Sequence, residues 1–138
     1  MRTQVSFATL TSTILNDVDP HLATALIVSS EPTVRDLLRW AVGEFVDEVL
    51  VAVSWTDAFT IAQRRHLVVA VVDFDGITAP RRTWLVDVLA MRSHASIVAV
   101  GTRAGLQVAA ASGVVYGVSK PIDVTGLMNQ VALLVRGR

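Results

Sequence analysis

Two carboxylates follow the most apolar stretch of the chain. Leu67 to Val72 are six consecutive apolar residues, and Asp73 and Asp75 come directly behind them. A continuous apolar run that is rich in β-branched residues indicates a strand buried on both faces. The carboxylate of Asp73 would then lie at the carboxyl end of that strand, where open α/β sheets bind their ligands.

Hydroxyl groups and one cation follow other apolar segments of the chain. They are Ser29, Ser30 and Glu31 after the first segment, Gly101 and Thr102 after the fourth, and Ser119 and Lys120 after the fifth. A carboxylate can attack a phosphoryl group to form an acyl phosphate, and Mg²⁺ held by one or two carboxylates can neutralise the charge. A lysine ammonium can pair with the phosphoryl oxygens. These residue types therefore suggest a site for a phosphoryl group or another small anion.

Five apolar segments alternate with five segments of helical periodicity. The predicted strands cover residues 23–28, 48–53, 67–73, 95–100 and 114–118, and the second is expected to be the more exposed one. The predicted helices begin near residues 32, 56, 80, 104 and 124. This alternation predicts a single parallel sheet with right-handed crossover connections.

Several local expectations accompany these elements. Ser30 is a favourable N-cap before Pro32, and Glu31 is then expected to point away from the strand ends. Thr102 is expected to cap a turn or helix, and Asp123 is expected to cap the last helix. The tryptophans lie on helices or at their starts and are expected to pack against the core: Trp40, Trp55 and Trp84.

Composition excludes several classes of protein. The 138 residues form one domain by length, 52% of them are apolar and 17% charged, and the net charge is zero. The chain lacks the basic footprint of a nucleic-acid-binding protein, and with no cysteine it forms no disulfide. His21, His66 and His94 share no metal-ligand spacing. No window is long and apolar enough for a membrane helix, and no secretory signal is visible, so we expect a cytoplasmic protein.

Residues 1–22 fit the alternation poorly and are predicted to form an N-terminal arm before a domain over 23–138. Leu10, Ile14 and Val18 follow helical spacing, but threonines at 9, 11 and 13 disfavour a helix. Two interpretations stay open: a partly ordered tail, or an arm that packs on its own domain or on a partner.

From residue 23 to 138 the chain resembles the receiver domains of two-component response regulators. The resemblance rests on the apolar strand into Asp73, the Lys120-Pro121 pair, the Thr56-Asp57-Ala58 opening of the second helix and the five-fold alternation. It implies a flavodoxin-like (βα)₅ fold with strand order 2-1-3-4-5. It also implies that Asp73 is the phosphoacceptor, that Lys120 pairs with phosphate, and that the Lys120–Pro121 bond is cis.

The chain departs from the receiver pattern at the metal site. The acidic pair that holds Mg²⁺ in receivers falls on Ser29 and Ser30. Asp73 and the backbone of Asp75 remain as metal ligands, so Mg²⁺ is expected to bind weakly, and no other cofactor is expected. Asp73 and Lys120 would then be either a working site or a structural ion pair that holds the loops together.

The chain also departs at the switch positions. Receivers have a switch residue with a hydroxyl group at the end of the fourth strand. That position is Gly101 here, and Thr102 follows it. The aromatic switch residue of the fifth strand falls on Gly117, and Tyr116 precedes it. A one-residue offset on a strand turns a side chain to the opposite face. The proline that usually follows the position of Asp75 comes later, at Pro80.

These departures predict an atypical receiver that acts through protein contacts, with weak or no Mg²⁺-dependent phosphorylation. The alternative is a conventional receiver phosphorylated on Asp73 by a histidine kinase. An enzyme or a flavodoxin-like cofactor binder is disfavoured, because the loop after the first strand lacks a phosphate cradle. Since the last predicted helix ends at Arg138, we expect a stand-alone module without a DNA-binding domain.

The expected partners are a sensor histidine kinase or another signalling protein, and neither nucleic acid nor a membrane. A homodimer is expected through the surface of helix four, strand five and helix five. Its apolar residues are Leu106, Val108, Val114, Tyr116, Val118 and Met128, together with alanines.

Overall fold

The computed structural model describes residues 22–76 and 79–137, so the predicted arm lies outside the described residues except for Leu22. The strands are β1 Thr24–Val28, β2 Glu48–Ala52, β3 Val69–Asp73, β4 Ser96–Gly101 and β5 Tyr116–Ser119. The helices are α1 Pro32–Gly43, α2 Trp55–Arg64, α3 Ala79–Met91, α4 Arg103–Ala111 and α5 Val124–Arg136.

The five strands form one parallel sheet in the order β2-β1-β3-β4-β5. The predicted flavodoxin-like (βα)₅ fold and its strand order are therefore confirmed. Strand β5 begins two residues later than predicted, because its pairing with β4 starts where Tyr116 meets Val98. As the last strand in the order, β5 is an edge of the sheet.

Helices cover both faces of the sheet. On one face, side chains of α1 and α5 such as Leu38, Val42 and Leu127 pack on Ile27 and Val71. On the other face, side chains from α2, α3 and α4 pack on the alternate strand residues, among them Leu26, Leu50 and Val72. Each central strand is buried on both faces, which explains the unbroken apolar runs in the sequence.

Strand β2 is more buried than predicted. Glu48, Val49, Leu50 and Ala52 are buried, and only Val51 is partly exposed. The expectation of a more exposed strand was wrong because β2, although an edge strand, has α1 packed on one face and α2 on the other.

Two of the three tryptophans do not pack in the core. Trp40 is 58% exposed and Trp84 is 60% exposed, so the expectation that they are core residues was wrong. Both lie on helices whose inner faces are already filled by smaller side chains, such as Ala41 of α1 and Leu85 of α3. Only Trp55 packs against the core, and its ring lies 5.8 Å from that of Phe59.

A buried ion pair lies at the amino-terminal edge of the sheet. A guanidinium nitrogen of Arg65 lies 2.6 Å from Glu48 Oε1, and the Thr24 hydroxyl donates to the same oxygen at 3.0 Å. Both charged residues are at most 5% exposed. These contacts join the first residues of β1 and β2 to the segment that leads into β3, at the end of the sheet opposite to Asp73.

Residues 22–76 and 79–137 include no helix with the length and apolar character required to cross a membrane.

Candidate functional site

The carboxyl ends of the strands bring the predicted site residues together. Because the strands are parallel and paired in register, Asp73 lies beside Val100 and Gly101 lies beside Ser119. The residues that directly follow β1, β4 and β5 therefore surround the end of β3. They are Ser29, Thr102 and Lys120.

Asp73 is buried, with 3% of its surface exposed, and both its oxygens accept hydrogen bonds. Its Oδ2 accepts from the Ser29 hydroxyl at 2.9 Å and from Lys120 Nζ at 3.0 Å. Its Oδ1 accepts from the Asp75 backbone N–H at 3.0 Å and from Lys120 Nζ at 3.1 Å. Three donor groups, from Ser29, Asp75 and Lys120, thus make four hydrogen bonds to this one buried carboxylate.

Lys120 lies among three carboxylates. Besides Asp73, its Nζ lies 3.0 Å from Asp75 Oδ2 and 3.6 Å from Glu31 Oε2. Burial acts to lower the pKa of Lys120, but the hydrogen bonds to Asp73 and Asp75 outweigh it, and the pKa is raised above its ordinary 10.5. The ammonium is therefore held as a permanent positive charge at the centre of the site.

Asp75 joins Lys120 to Thr102. Its carboxylate accepts from the Thr102 backbone N–H at 3.0 and 3.2 Å and from the Thr102 hydroxyl at 2.9 Å. Burial acts to raise the pKa of Asp75, but hydrogen bonds from Lys120 and Thr102 outweigh it, and the pKa is lowered from its ordinary 3.8. The sequence suggested a backbone carbonyl as the contribution of Asp75, whereas its side chain is the group that makes these contacts.

The start of α1 differs from the prediction. Glu31, not Ser30, occupies the N-cap position, because Pro32 is the first residue of the helix. Ser29 points inward to Asp73 and accepts a hydrogen bond from the Glu31 N–H at 3.2 Å, whereas Ser30 is exposed. The expectation that Glu31 points away from the site was wrong, since its carboxylate faces Lys120.

The start of α2 also lies one residue before the predicted one. The helix begins at Trp55, and the Ser54 hydroxyl accepts from the Asp57 N–H and caps it. Thr56 and Asp57 therefore lie inside the first turn of α2 and do not cap it.

The two switch-like residues play different parts. Thr102 is the N-cap of α4, as expected for a capping hydroxyl, and it also contacts Asp75. Tyr116 is 39% exposed and lies on the strand face opposite to Gly117. A Cβ atom on Gly117 would lie 3.3 Å from Leu106 Cδ2, so Leu106 of α4 fills the space beside that glycine.

Three further residues contribute to the site in ways that the sequence alone did not predict, among them Glu31, which was expected to point away from the strand ends. Arg35 donates to the Ser29 carbonyl at 3.1 Å, Glu31 faces Lys120, and Gly105 lies beneath the Asp75 carboxylate. The amino-acid composition offered one signal for the importance of Lys120. It is the only lysine in the sequence, and all other Lys or Arg positions are arginines.

The residues present do not fit a resident Mg²⁺ ion. Serines occupy the positions of the acidic pair, and Ser29 donates its proton to Asp73. The oxygens of Asp73 and Asp75 that face the centre already accept from Lys120. In the part of the chain that the structure describes, no three His, Cys, Asp or Glu side chains are grouped to hold a metal ion.

The Lys120–Pro121 peptide bond is cis, as the resemblance implies.

No protein-family model matches this sequence, and the comparison with curated proteins also finds no match. The structure, in contrast, is similar to those of many solved receiver domains. The fold alone is shown by this likeness, because the sequence identities are low.

Three solved structures illustrate the likeness. A response regulator receiver protein from Sinorhizobium medicae has a TM-score of 0.72 and 18% identity, with 86% of this chain and 98% of that chain covered. A two-component transcriptional regulator AraC from Clostridium phytofermentans has a TM-score of 0.69 and 21% identity, with 83% and 93% covered. A CheY-like receiver domain protein from Methanospirillum hungatei has a TM-score of 0.68 and 13% identity, with 84% and 95% covered. The chain thus has the fold of response-regulator receiver domains.

Proposed function

We propose that this protein is an atypical receiver of two-component-type signal transduction. It acts through protein contacts rather than catalysis, and phosphorylation of Asp73 with Mg²⁺ is weak or absent. The observation that carries the proposal is the position of Lys120, whose ammonium lies within 3.6 Å of carboxylate oxygens from Asp73, Asp75 and Glu31. A sensor histidine kinase or another signalling protein is the proposed partner.

Charge at the site supports weak phosphorylation. A phosphoryl group brings close to two negative charges at neutral pH. Lys120 would have to neutralise that charge although three carboxylates already surround its ammonium group. The acidic pair that could bind a divalent cation and supply further positive charge is absent. Each oxygen of Asp73 also accepts two hydrogen bonds, so an attack by either oxygen on a phosphoryl donor would require at least one of them to break.

The test is a phosphorylation assay read by intact mass. The protein is incubated with Mg²⁺ and acetyl phosphate beside a conventional receiver that has the acidic pair. We expect the conventional receiver to gain a phosphoryl group and this protein to remain unmodified. A rapidly formed adduct that disappears in Asp73→Asn would instead show a conventional phospho-accepting receiver and overturn the proposal.

The proposed contact surface consists of α4, β5 and α5. Between Ala104 and Val135 the chain has only two charged residues, Lys120 and Asp123, and Lys120 is turned into the site. Val115 is 82% exposed and lies directly before the edge strand β5. An apolar surface that carries few charges can pack against an identical copy of itself, and the edge strand β5 favours pairing with another chain. A second copy of the chain is therefore the proposed occupant.

The dimer is tested by sedimentation at micromolar concentration. We expect a dimer in the wild-type protein and a monomer after Val115→Glu, which places a charge on this mostly apolar surface. Met91→Glu is the matched control, because Met91 is 74% exposed but lies on α3, on a different surface. A wild-type protein that sediments only as a monomer would contradict the dimer.

A further inference from the structure

The Asp75 carboxylate connects the loop after β3 to the N-cap residue of α4. It accepts the Thr102 N–H and the Thr102 hydroxyl, while Thr102 itself is the N-cap of that helix. An acidic group at a helix N-terminus is stabilised by the unpaired backbone N–H groups there. The contact thus links two segments that are 27 residues apart in the chain.

A glycine makes this arrangement sterically feasible. A Cβ atom on Gly105 would lie 2.3 Å from Asp75 Oδ1, a distance at which the two atoms cannot coexist. Gly101 approaches the same oxygen, with a hypothetical Cβ at 3.3 Å. Gly105 is the third residue of α4, and the missing side chain leaves the space that the Asp75 carboxylate occupies.

The same carboxylate is tied to the end of β5. Lys120 Nζ lies 3.0 Å from Asp75 Oδ2, and the Lys120 backbone N–H donates to the Gly101 carbonyl at 2.9 Å. Leu106 follows Gly105 and packs against Gly117 of β5. The position of the first turn of α4 is thereby connected to the packing of α4 on the edge strand.

We infer that Asp75 is a built-in latch that holds α4 and β5 in one arrangement without any modification of Asp73. The latch consists of the Asp75 carboxylate, the Thr102 hydroxyl and N–H, and the Lys120 ammonium, and Gly105 leaves the space for it. Breaking it frees the first turn of α4 from the loop after β3. This inference goes beyond the proposed function, since it rests on these contacts and not on a partner or on dimerisation.

Residue-resolved amide exchange of the unmodified full chain tests the latch. In the wild-type protein, without any phosphodonor, the Thr102 N–H should be protected. Asp75→Ala removes its acceptor and should make its exchange roughly tenfold faster, since a hydrogen bond to a charged acceptor is lost. Asp36→Ala, which removes an exposed carboxylate of α1, should leave that exchange unchanged.

A second variant displaces the carboxylate without removing it. Gly105→Ala should accelerate exchange at Thr102 because the new methyl group occupies the place of Asp75 Oδ1, even though alanine favours the helix. If Asp75→Ala fails to fold, Gly105→Ala and the wild-type protection decide the question. An unprotected Thr102 amide in the wild type, or wild-type exchange rates in the folded variants, would overturn the latch.

The outcome is independent of the proposed function. Phosphorylation of Asp73 in the mass assay would contradict the proposed function. It would not affect the test of the latch, because amide exchange at Thr102 is measured on the unmodified protein. Unprotected Thr102 would remove the latch even if the protein behaves as an atypical receiver.

Discussion

Lys120 Nζ lies 3.0 and 3.1 Å from the two oxygens of Asp73, so one ammonium is shared by both oxygens of a buried carboxylate. Asp73 is 3% exposed, whereas the Lys120 side chain is 17% exposed and also faces Asp75. The stability of the site therefore depends on one cation that serves several anions.

Lys120→Met should destabilise the protein. The substitution keeps most of the apolar stem and leaves Asp73 buried without its cation, which should lower the free energy of unfolding by about 3 kcal/mol. Urea unfolding measures the change. Arg39→Met, an exposed cation of α1, is the control and should change it by less than about 0.5 kcal/mol. Equal stability of the two variants would contradict the role of Lys120.

Ser29→Ala should cost more than Ser30→Ala. Ser29 is buried and donates to Asp73 Oδ2, so its removal leaves a buried carboxylate with one donor fewer and should cost about 1–2 kcal/mol. Ser30 is exposed, so Ser30→Ala should lower the free energy of unfolding by less than about 0.5 kcal/mol. Chemical unfolding of the two neighbouring variants compares them directly, and equal losses would show that the bond to Asp73 adds nothing.

Asp75 should contribute stability that is lost in acid. Burial acts to raise the pKa of Asp75 in the folded protein, but the hydrogen bonds from Lys120 and Thr102 together outweigh it and lower the pKa from its ordinary 3.8. The folded state therefore binds fewer protons than the unfolded state, and the contribution is complete above the unfolded pKa and disappears as the pH falls through the folded pKa. Unfolding free energies of the wild type and Asp75→Asn, measured from neutral pH into acid, should converge. Parallel curves would contradict this prediction.

The Lys120 ammonium should titrate above its ordinary pKa of 10.5, because the hydrogen bonds to Asp73 and Asp75 outweigh burial. A raised folded pKa means that the contribution of Lys120 is present below the unfolded pKa and is lost as the pH rises through the folded pKa. Since the chain has one lysine, ¹⁵N-lysine labelling yields one side-chain signal, whose titration reports this pKa directly. The pKa should fall in Asp75→Asn, whereas Asp57→Asn, on α2, should leave it unchanged.

The buried Arg65–Glu48 pair lies at the opposite end of the sheet, where the strands begin. Removing one partner of this pair should lower the free energy of unfolding. Within the described residues, Arg65 Nε and Nη1 are buried without a hydrogen-bond partner, so Glu48 is its main compensating group. Glu48→Leu should cost about 3–5 kcal/mol, because an uncompensated buried guanidinium remains. The double variant Glu48→Leu with Arg65→Met should recover much of that loss, and a double-mutant cycle with thermal or urea unfolding measures the coupling.

The architecture of the sheet could be predicted from the sequence because it depends on patterns that repeat along the chain. The apolar run that ends at Asp73 indicates a strand covered on both faces, and the spacing of Leu38, Ala41 and Val42 indicates the inner face of α1. Because parallel strands all end on the same side of the sheet, the element order also predicted that Asp73 and Lys120 lie at the same end of it.

The predictions for individual side chains failed where neighbouring residues already fill the position that a side chain was expected to occupy. Trp40 and Trp84 are apolar enough for a core, but smaller side chains already fill the inner faces of their helices. Ser30 has the chemistry of a cap, but Pro32 begins the helix and leaves Glu31 at the N-cap position.

Local residue order predicts the five strands, the five helices and a parallel sheet, because hydrophobic periodicity is a local property, whereas the strand order was implied by the resemblance to receiver domains. The folded structure is needed to show that Glu31 faces Lys120, that Asp75 reaches Thr102, and that Gly105 provides the space for it. Those contacts depend on side-chain directions and on distances between segments that lie far apart in the chain, and local patterns carry no such information.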